Sequence, residues 1–414
     1  MTEMTRLDRV ATVHARIGWK ALTADEYVDD GFAFLSTPNI KQSVIDYTNV
    51  NFISDFRYTE SPELQLQIGD VLLAKDGSTL GIANCVRHLP RPATVNGSIA
   101  VLRPFNVESR YLMYWLQASP IQAQIQQLKD GMGVPHLFQQ DIRKLQVPEL
   151  NRGDQRRIAD LLDNRIALID RIVAARREQI GKLVQAREAH LQQLHDNLVS
   201  QYGECRLGYL LVGLEQGWSP QADSVPAAPQ EWGVMRSGCV NGGLFRPDDN
   251  KRLPDGLEPR PEYEIRSGDL LMSRASGSLD LIGSVAVVPG GTRSRLLLCD
   301  KIYRIAPAEG WDARYLAHIM RTRRSREGIR LGVSGAEGMA NNLPSGVVRD
   351  LRIPLVPSVR QPEIIDRAEA IHKREAVVTA GLTRSIRLLI EYRSSLITAA
   401  VTGATDMQQD RILT

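Results

Sequence analysis

Between Asp154 and Leu198 the chain carries no proline and a single interior glycine, and its apolar residues fall at helical spacing. Leu162, Ile166, Ile169, Val173, Ile180 and Leu183 recur three or four residues apart, or at the sum of the two. Arg171, Arg176, Arg177, Glu178 and Lys182 occupy the other faces. A second stretch, from about Gln361 to Val401, places Ile371, Val378, Leu382, Leu389 and Leu396 on a comparable seam. Ser358 followed three residues on by Gln361 has the pattern of a capping box, and Gly403 suits a helix end. At 1.5 Å per residue, about 40 to 45 residues make a rod of roughly 60 to 65 Å. So narrow a seam on so long a helix needs a partner, and the nearest partner is the other copy.

The segments before each rod alternate or run apolar in short bursts. "QLQIGDVLLAK" and "YEIRSGDLLMSR" read as strands ending in turns, as do "GIANCV", "SIAVLRP", "GSVAVVP" and "DKIYRIAP". "ESRYLMYWLQASPIQAQIQQL" and "DARYLAHIMRTRRSREGIRL" read as one helix per copy. "SGCVNGGLFRPDDNKRLPDGLEPRP" reads as loop. The landmarks repeat: Gly69 and Gly268 lie 199 residues apart, Tyr111 and Tyr315 lie 204 apart, and Pro148/Pro354, Gln155/Gln361 and Arg187/Arg393 all lie 206 apart. An offset that drifts and then holds constant describes a variable globular unit followed by a rigid element. The expected fold is mixed α/β (α+β): two repeated globular domains, each followed by a long helix, the helices pairing as an antiparallel coiled coil. The expected divisions are residues 1–150 and 200–357 for the domains, 151–199 and 358–403 for the helices, and 404–414 for a tail.

A length of 414 residues exceeds one ordinary core. An apolar fraction of 43% and a charged fraction of 24% describe a globular chain. There is no apolar run long enough for a bilayer, and "MTEMTRLDRV" lacks the core of a signal peptide, so the expectation is a cytoplasmic protein without membrane contact. Cys85, Cys205, Cys239 and Cys299 are scattered without metal-ligand spacing and read as free thiols. A net charge of +3 makes any nucleic-acid surface a local patch.

No GxxxxGK[ST], GxSxG or HExxH motif occurs, nor the Asn/Asp-Pro-Pro-aromatic run that amino-methyltransferases use to hold a flipped base. "PDDNK" places Asp248 and Asp249 beside Lys251, the residue types of a metal-dependent nuclease, but compressed into one proline-flanked loop. What remains is basic and hydroxyl-bearing loops. "AKDGSTLGIA" offers Lys75, Ser78 and Thr79, and "SRASGSLDLIG" offers Arg274, Ser276 and Ser278 in the equivalent place. Such groups bind phosphate oxygens, and a long cation reaches guanine O6 and N7. Arg57, Arg87, Arg91, Arg246, Lys251, Arg252, Arg293, Arg295, Arg323 and Arg324 are further candidates, and Asn341 and Asn342 suit adenine edges or turns.

With these features together, the chain resembles a specificity subunit of a type I restriction-modification system over essentially all 414 residues. The closest likenesses are "LQVPELNRGDQRRIADLLD", "LRIPLVPSVRQPEIIDRAE", "LIEYRSSLITAAVTGATD", "IGDVLLAKDGSTLGIA" and "GMGVPHLFQQDIRKLQVP". Glu149 after Pro148, and Pro362, depart from the family's usual residues. The resemblance implies a chain without catalysis of its own, in which two target recognition domains each read one half of a split, asymmetric duplex DNA sequence. It implies two modification subunits carrying S-adenosylmethionine, restriction subunits using ATP with Mg, and no cofactor or metal on this chain. A coiled-coil interaction scaffold without DNA binding, and a nuclease built on Asp248, Asp249 and Lys251, stand as the alternatives.

Overall fold

The computed structural model describes residues 3–15, 22–41, 43–129, 135–333 and 341–403. The chain divides into two compact units, Met1–Glu178 with Leu382–Thr414, and Gln179–Gly381. The tail expected at 404–414 lies outside the described residues.

The first unit opens with β1 (Met4–Arg6), whose antiparallel partner is the last strand of the lobe, β9 (Gln146–Pro148), with Met4 opposite Pro148. Between them, β2 (Ala11–His14), β5 (Val71–Ala74), β6 (Ala83–Cys85) and β8 (Ile99–Pro104) form a four-stranded antiparallel sheet in the order β2-β8-β5-β6. A smaller sheet has the order β4-β3-β7, from β3 (Phe32–Leu35), β4 (Asn51–Ile53) and β7 (Ala93–Val95). Short helices α1 (Thr37–Ile40) and α2 (Asp55–Thr59) lie in its connections, and α3 (Ser109–Gln117), α4 (Ser119–Leu128) and α5 (Gln139–Ile142) follow β8. Val71 and Leu73 of β5 are buried toward α3 with Tyr111 and Leu112, and Leu72 and Ala74 toward the small sheet. Period-two alternation thus serves two cores at once, which is why β5 reads as a continuous apolar run.

The second unit repeats this plan. β10 (Glu204–Arg206) pairs with β20 (Arg352–Pro354), Glu204 opposite Pro354. The larger sheet has the order β11-β18-β14-β16, from β11 (Leu211–Gln216), β14 (Leu270–Ser273), β16 (Val285–Val287) and β18 (Ile302–Pro307). The smaller has β13-β12-β17, from β12 (Gly233–Met235), β13 (Asn250–Arg252) and β17 (Leu296–Leu297). β15 (Ala275–Ser276) pairs with β19 (Asn341–Asn342), and α7 (Ala313–Met320), α8 (Arg323–Gly332) and α9 (Ser345–Asp350) complete the lobe. The segment read as loop around Asn250 therefore contains an edge strand.

The single helix expected in each copy is two. Ala118 is extended between α3 and α4, and Pro120 fits the first turn of α4, where a missing N–H costs nothing. In the second copy Thr322 Oγ1 and Ser325 Oγ both donate to the Ile319 carbonyl, at 2.7 and 2.9 Å, and break the chain before α8.

The long helices are α6 (Arg152–Tyr202, 51 residues) and α10 (Gln361–Thr402, 42 residues). They end at Gly203 and Gly403, both with φ near +71°, the left-handed conformation that glycine accepts without strain. In the first unit Ile158, Leu162, Ile166, Ile169 and Val173 of α6 share a core with Ile397, Ala400 and Val401 of α10. Leu389 and Leu396 pack against it half-buried, and Asp170 faces Arg393 at 3.5 Å. In the second unit Leu191, Leu194 and Leu198 of α6 meet Ile364, Ile365 and Ala368 of α10, with Ile371 half-buried beside them and Arg187 on Glu375 at 3.2 Å. The start of one helix meets the end of the other, so the segments run antiparallel. The seam is deepest where a lobe also packs on it: Ile180, Leu183 and Leu382 are half-buried, and Val378 is exposed. The expected capping box at Ser358 does not form. Ser358–Arg360 is a 3-10 turn, and the Gln361 side chain serves another purpose. All four cysteines are free, and burial pushes the Cys85 and Cys299 thiols up to about 12.

Candidate nucleic-acid interface

Each unit carries one copy of the same two-loop construction. In the first, the chain leaves β5 through Lys75, whose N–H donates to the Ser98 carbonyl (2.8 Å) and whose carbonyl accepts from Leu137 N–H (2.9 Å). Gly77 N–H donates to the Pro135 carbonyl at 2.8 Å, and its φ of +71° turns the loop. Asp76 and His136 form an isolated antiparallel bridge, and the Asp76 carboxylate holds His136 Nδ1 by a hydrogen bond. Lys75 Nζ sits 3.3 Å from the other carboxylate oxygen. Phe138, 45% exposed, meets the His136 ring edge-on at 4.5 Å.

In the second unit, Arg274 N–H donates to the Lys301 carbonyl and its own carbonyl accepts from Leu343 N–H, both at 2.8 Å. Ala275 then pairs with Asn342 and Ser276 with Asn341. The Arg274 guanidinium donates to Tyr303 Oη (3.2 Å) and to the Asp300 carbonyl (3.3 Å). Lys75 and Arg274, Asp76 and Ala275, His136 and Asn342, Leu137 and Leu343 are thus structural equivalents.

The repeated glycine-aspartate pair anchors the strand that carries each loop. Gly69 and Gly268 turn with φ of +95° and +89°. Asp70 accepts from Gln67 N–H (2.8 Å) and from Arg103 on β8 (2.8 and 2.9 Å). Asp269 accepts from Arg266 N–H (2.9 Å) and faces Arg304 on β18 at 3.3 Å.

Each lobe is also tied to its long helix by the repeated glutamine. Gln155 Oε1 accepts from Glu108 N–H, just before α3, at 2.7 Å, and its Nε2 donates to the Leu150 carbonyl at 2.8 Å. Gln361 Oε1 accepts from Asp312 N–H, just before α7, at 2.8 Å, while Nε2 donates to the Gly310 and Val356 carbonyls, both at 3.1 Å. Both side chains are buried. A glutamine supplies acceptor and donor in one side chain, and at Gln361 the amide nitrogen serves two carbonyls. In the first unit Asp163 of α6 adds a polar hub, accepting from Arg87 (2.6 and 2.9 Å), Arg110 (2.8 Å) and Tyr114 Oη (2.7 Å).

The duplicated lobes, the paired long helices and the matching loops are the setting for comparison with known proteins. No family model matches the chain. It is 21% identical over 420 aligned residues to the type I restriction enzyme EcoKI specificity subunit of Escherichia coli strain K12, covering 96% of this chain and 88% of that one. The chain is similar to type I restriction specificity subunits. The EcoEI specificity subunit of Escherichia coli is 30% identical over 171 residues, a match spanning 41% of this chain and only 28% of the EcoEI subunit. A solved structure concerned with complex assembly and conformational transition of the type I R-M system superposes with a TM-score of 0.66 at 15% identity, over 96% of this chain and 97% of that one. The two share a fold.

The candidate cations divide by what already holds them. Lys75 is only 6% exposed and Arg274 is half-buried, so both brace the loops from beneath. Arg87 is held by Asp163 of α6, a contact that raises its pKa, and Arg57 is held by Glu26 and Glu60. Arg293 and Arg295 donate to backbone carbonyls, Arg293 to that of Glu231 and Arg295 to that of Gln230; Arg246 does so to that of Asn241. Arg91 pairs with Asp30 (2.7 Å), Arg252 with Asp223 (2.7 Å), Arg323 with Glu327 (2.7 Å) and Arg324 with Glu204 (2.8 Å). Exposed pairs of this kind are worth about 0–1 kcal/mol, so a phosphate can displace the carboxylate. Ser78 and Lys251 are exposed, Thr79 Oγ1 donates to the Asp76 carbonyl (3.2 Å), and Ser276 and Ser278 hydroxyls accept from backbone N–H groups within their own turn.

The loops bring together Lys75, Ser78, Thr79 and, in the other unit, Arg274, Ser276, Ser278, Asn341 and Asn342. Arg57, Arg91, Arg246, Arg252, Arg293 and Arg295 belong to other surfaces. Sequence reasoning passed over His136, although the constant offset of 206 places it opposite Asn342. In "PDDNK", Asn250 is buried, accepting from Ala227 N–H and donating to the Pro247 carbonyl, both at 2.8 Å. Among the described residues no group of three or more His, Cys, Asp or Glu is arranged to hold a metal.

Proposed function

We propose that this chain is the DNA-recognition subunit of a type I restriction-modification assembly. It reads a bipartite, asymmetric duplex sequence through one loop pair per unit and directs methyltransferase subunits, and restriction subunits where they accompany them, to that site. The observation that carries the reading is the occurrence of equivalent loop pairs on equivalent sheets, bearing different side chains. Two scaffolds with different tips are what a reader of two unlike half-sites requires. The similarity to specificity subunits along nearly the whole chain supports it.

On this reading, phosphate contacts supply salt-sensitive affinity, and a few base-edge contacts discriminate by about 1–3 kcal/mol each. Neighbouring readers on one face of B-DNA lie about 34 to 36 Å apart, one helical turn, and the long helices set the gap between half-sites. Chemistry belongs to the partners: S-adenosylmethionine on two methyltransferase subunits, and ATP with Mg on restriction subunits. The place of work is the cytoplasm. No described helix is long and apolar enough to cross a membrane.

Methylome sequencing of cells expressing this chain with its methyltransferase tests the proposal. The expected result is a split motif with a fixed unspecified gap, and removal of a heptad from both long helices changes the gap or abolishes assembly. A continuous palindrome, or no new methylation beside an active partner, refutes it. Metal-dependent cleavage by the chain alone, lost in Asp249→Ala, favours the nuclease alternative.

A further inference from the structure

We propose that the cavity between α8, the long helices and the β14–β16 connection of the second unit is an anion site that takes a phosphate group on Arg321 and Arg326. The inference goes beyond DNA recognition and does not rest on it. The cavity measures about 700 Å³ and lies wholly within this unit. Five arginines line it, and three are answered: Arg187 by Glu375 (3.2 Å), Arg323 by Glu327 (2.7 Å) and Arg330 by Asp280 (2.6 Å). Glu188, the remaining carboxylate of the wall, stands 3.7 Å from Arg187. Arg321 and Arg326, both half-buried, bond to backbone carbonyls instead. Arg321 donates to those of Val285 (3.1 and 3.2 Å) and Gly243 (2.8 Å), and Arg326 to that of Asp280 (3.0 Å). Arg326 Nη1 is buried without a hydrogen-bond partner, and so is Nε2 of His372, which lines the cavity from α10.

The same place in the first unit shows what these arginines replace. The offset of 204 between Tyr111 and Tyr315 sets Gln117 against Arg321 and Gln122 against Arg326. Gln117 donates to the Ala83 carbonyl (2.9 Å) and Gln122 to the Gly81 carbonyl (2.8 Å). Both line a cavity of about 900 Å³, with Arg393 in the place of Arg187. A glutamine therefore suffices to brace this connection, and an arginine braces it while adding a charge drawn out of water, which is costly until paired. Desolvation lowers the pKa of both guanidiniums, and Arg187 and Arg321 add to desolvation in lowering that of His372, so the potential inside is positive. Two left-handed glycines make the room. A Cβ on Gly243 (φ +78°) would fall 2.9 Å from Arg321 Cζ, and one on Gly283 (φ +70°) 3.0 Å from Arg326 Nη1. A guanidinium presents a planar fork of donors that matches phosphate oxygens, and two of them balance the charge of a phosphate dianion.

The test uses the full chain assembled with its methyltransferase subunits, as wild type and as the double variant Arg321→Gln with Arg326→Gln, which installs the first unit's own residue type at both positions. Melting is followed against inorganic phosphate, with sodium chloride at matched ionic strength as the control, and duplex affinity is followed against salt concentration. Phosphate is expected to raise the melting temperature of the wild type beyond the chloride control, and the double variant to need at least about tenfold more phosphate for the same rise. If the phosphate comes from a duplex backbone, the slope of log affinity against log salt also shallows by about one in the variant. If the phosphate response is lost and the slope is unchanged, the ligand is a small free phosphate compound; a change of slope alone assigns the site to the duplex backbone. Identical phosphate responses and identical slopes in the two proteins overturn the proposal and leave both arginines as braces. Arg326→Gln alone, scored in the same way, takes the place of the double variant if that does not assemble. A complex that binds no duplex at all refutes the DNA-recognition reading, while the phosphate response still decides this one.

Discussion

Removing the Gln361 side chain measures what the repeated glutamine contributes. Gln361→Ala deletes three hydrogen bonds, from Asp312 N–H and to the Gly310 and Val356 carbonyls, at a side chain only 2% exposed. One donor and two acceptors are left inside the junction between β20, the start of α7 and the start of α10. An orphaned buried polar group costs about 1–3 kcal/mol, and water entering the small space left behind offsets part of that. The expected loss is therefore about 2–4 kcal/mol. Gln155→Ala removes two bonds rather than three, so about 1–3 kcal/mol is expected there. Gln361→Glu is the sharper control: a carboxylate would keep the bond from Asp312 N–H but face two carbonyls with no donor, so it should be at least as damaging at neutral pH and partly recover in acid. Urea unfolding supplies the stability difference, and amide hydrogen exchange at Asp312 and Glu108 supplies the local one. If both alanine variants lie within about 0.5 kcal/mol of the parent and exchange is unchanged, the glutamines are not clamps and the argument is wrong.

Three further outcomes follow from the same geometry. Asp163→Ala takes the carboxylate from Arg87 and Tyr114 and one of three from Arg110, which keeps Glu108 and Asp160, and an unfolding loss of about 1–3 kcal/mol is expected, with Asp163→Asn intermediate. His318, buried and facing Arg321 and His372, has its pKa lowered from 6.5 to about 4, first by desolvation. Between those values the unfolded chain binds a proton that the folded chain refuses. Stability thus falls as pH drops from about 6.5 to about 4, by roughly 3 kcal/mol from this group, and His318→Gln flattens that limb of a pH-stability curve. Duplex affinity of the assembled complex should fall linearly with the logarithm of salt concentration, and replacing exposed Arg323 should shallow the slope by about one while leaving base preference intact.

The long helices and most strands were legible in the sequence because their periodicities are strong and uninterrupted. The seam was legible only in part. Val378 keeps the heptad step from Ile371 yet lies exposed, while Ile397, Ala400 and Val401 are buried. Periodicity reports which face turns inward, whereas depth depends on whether a lobe also covers that face. The break between α7 and α8 was hidden because hydroxyl side chains bonded back to the Ile319 carbonyl make it, and Thr322 and Ser325 look ordinary in a polar run. Lys75 shows the limit most plainly. A lysine after a strand reads as an exposed cation, but it is only 6% exposed, its charge turned under the loop onto the Asp76 carboxylate, a burial that only folded geometry creates. His136 escaped notice for the same reason, since its partner lies 60 positions earlier.

The pairing of each lobe's first strand with its last, Met4–Arg6 on Gln146–Pro148 and Glu204–Arg206 on Arg352–Pro354, means that the chain leaves and re-enters each lobe through one narrow doorway. Insertions inside a lobe are then insulated from the frame outside it, because entry and exit stay hydrogen-bonded to each other whatever lies between. A new loop surface can be drafted, or imported whole between those strands, without moving the long helices.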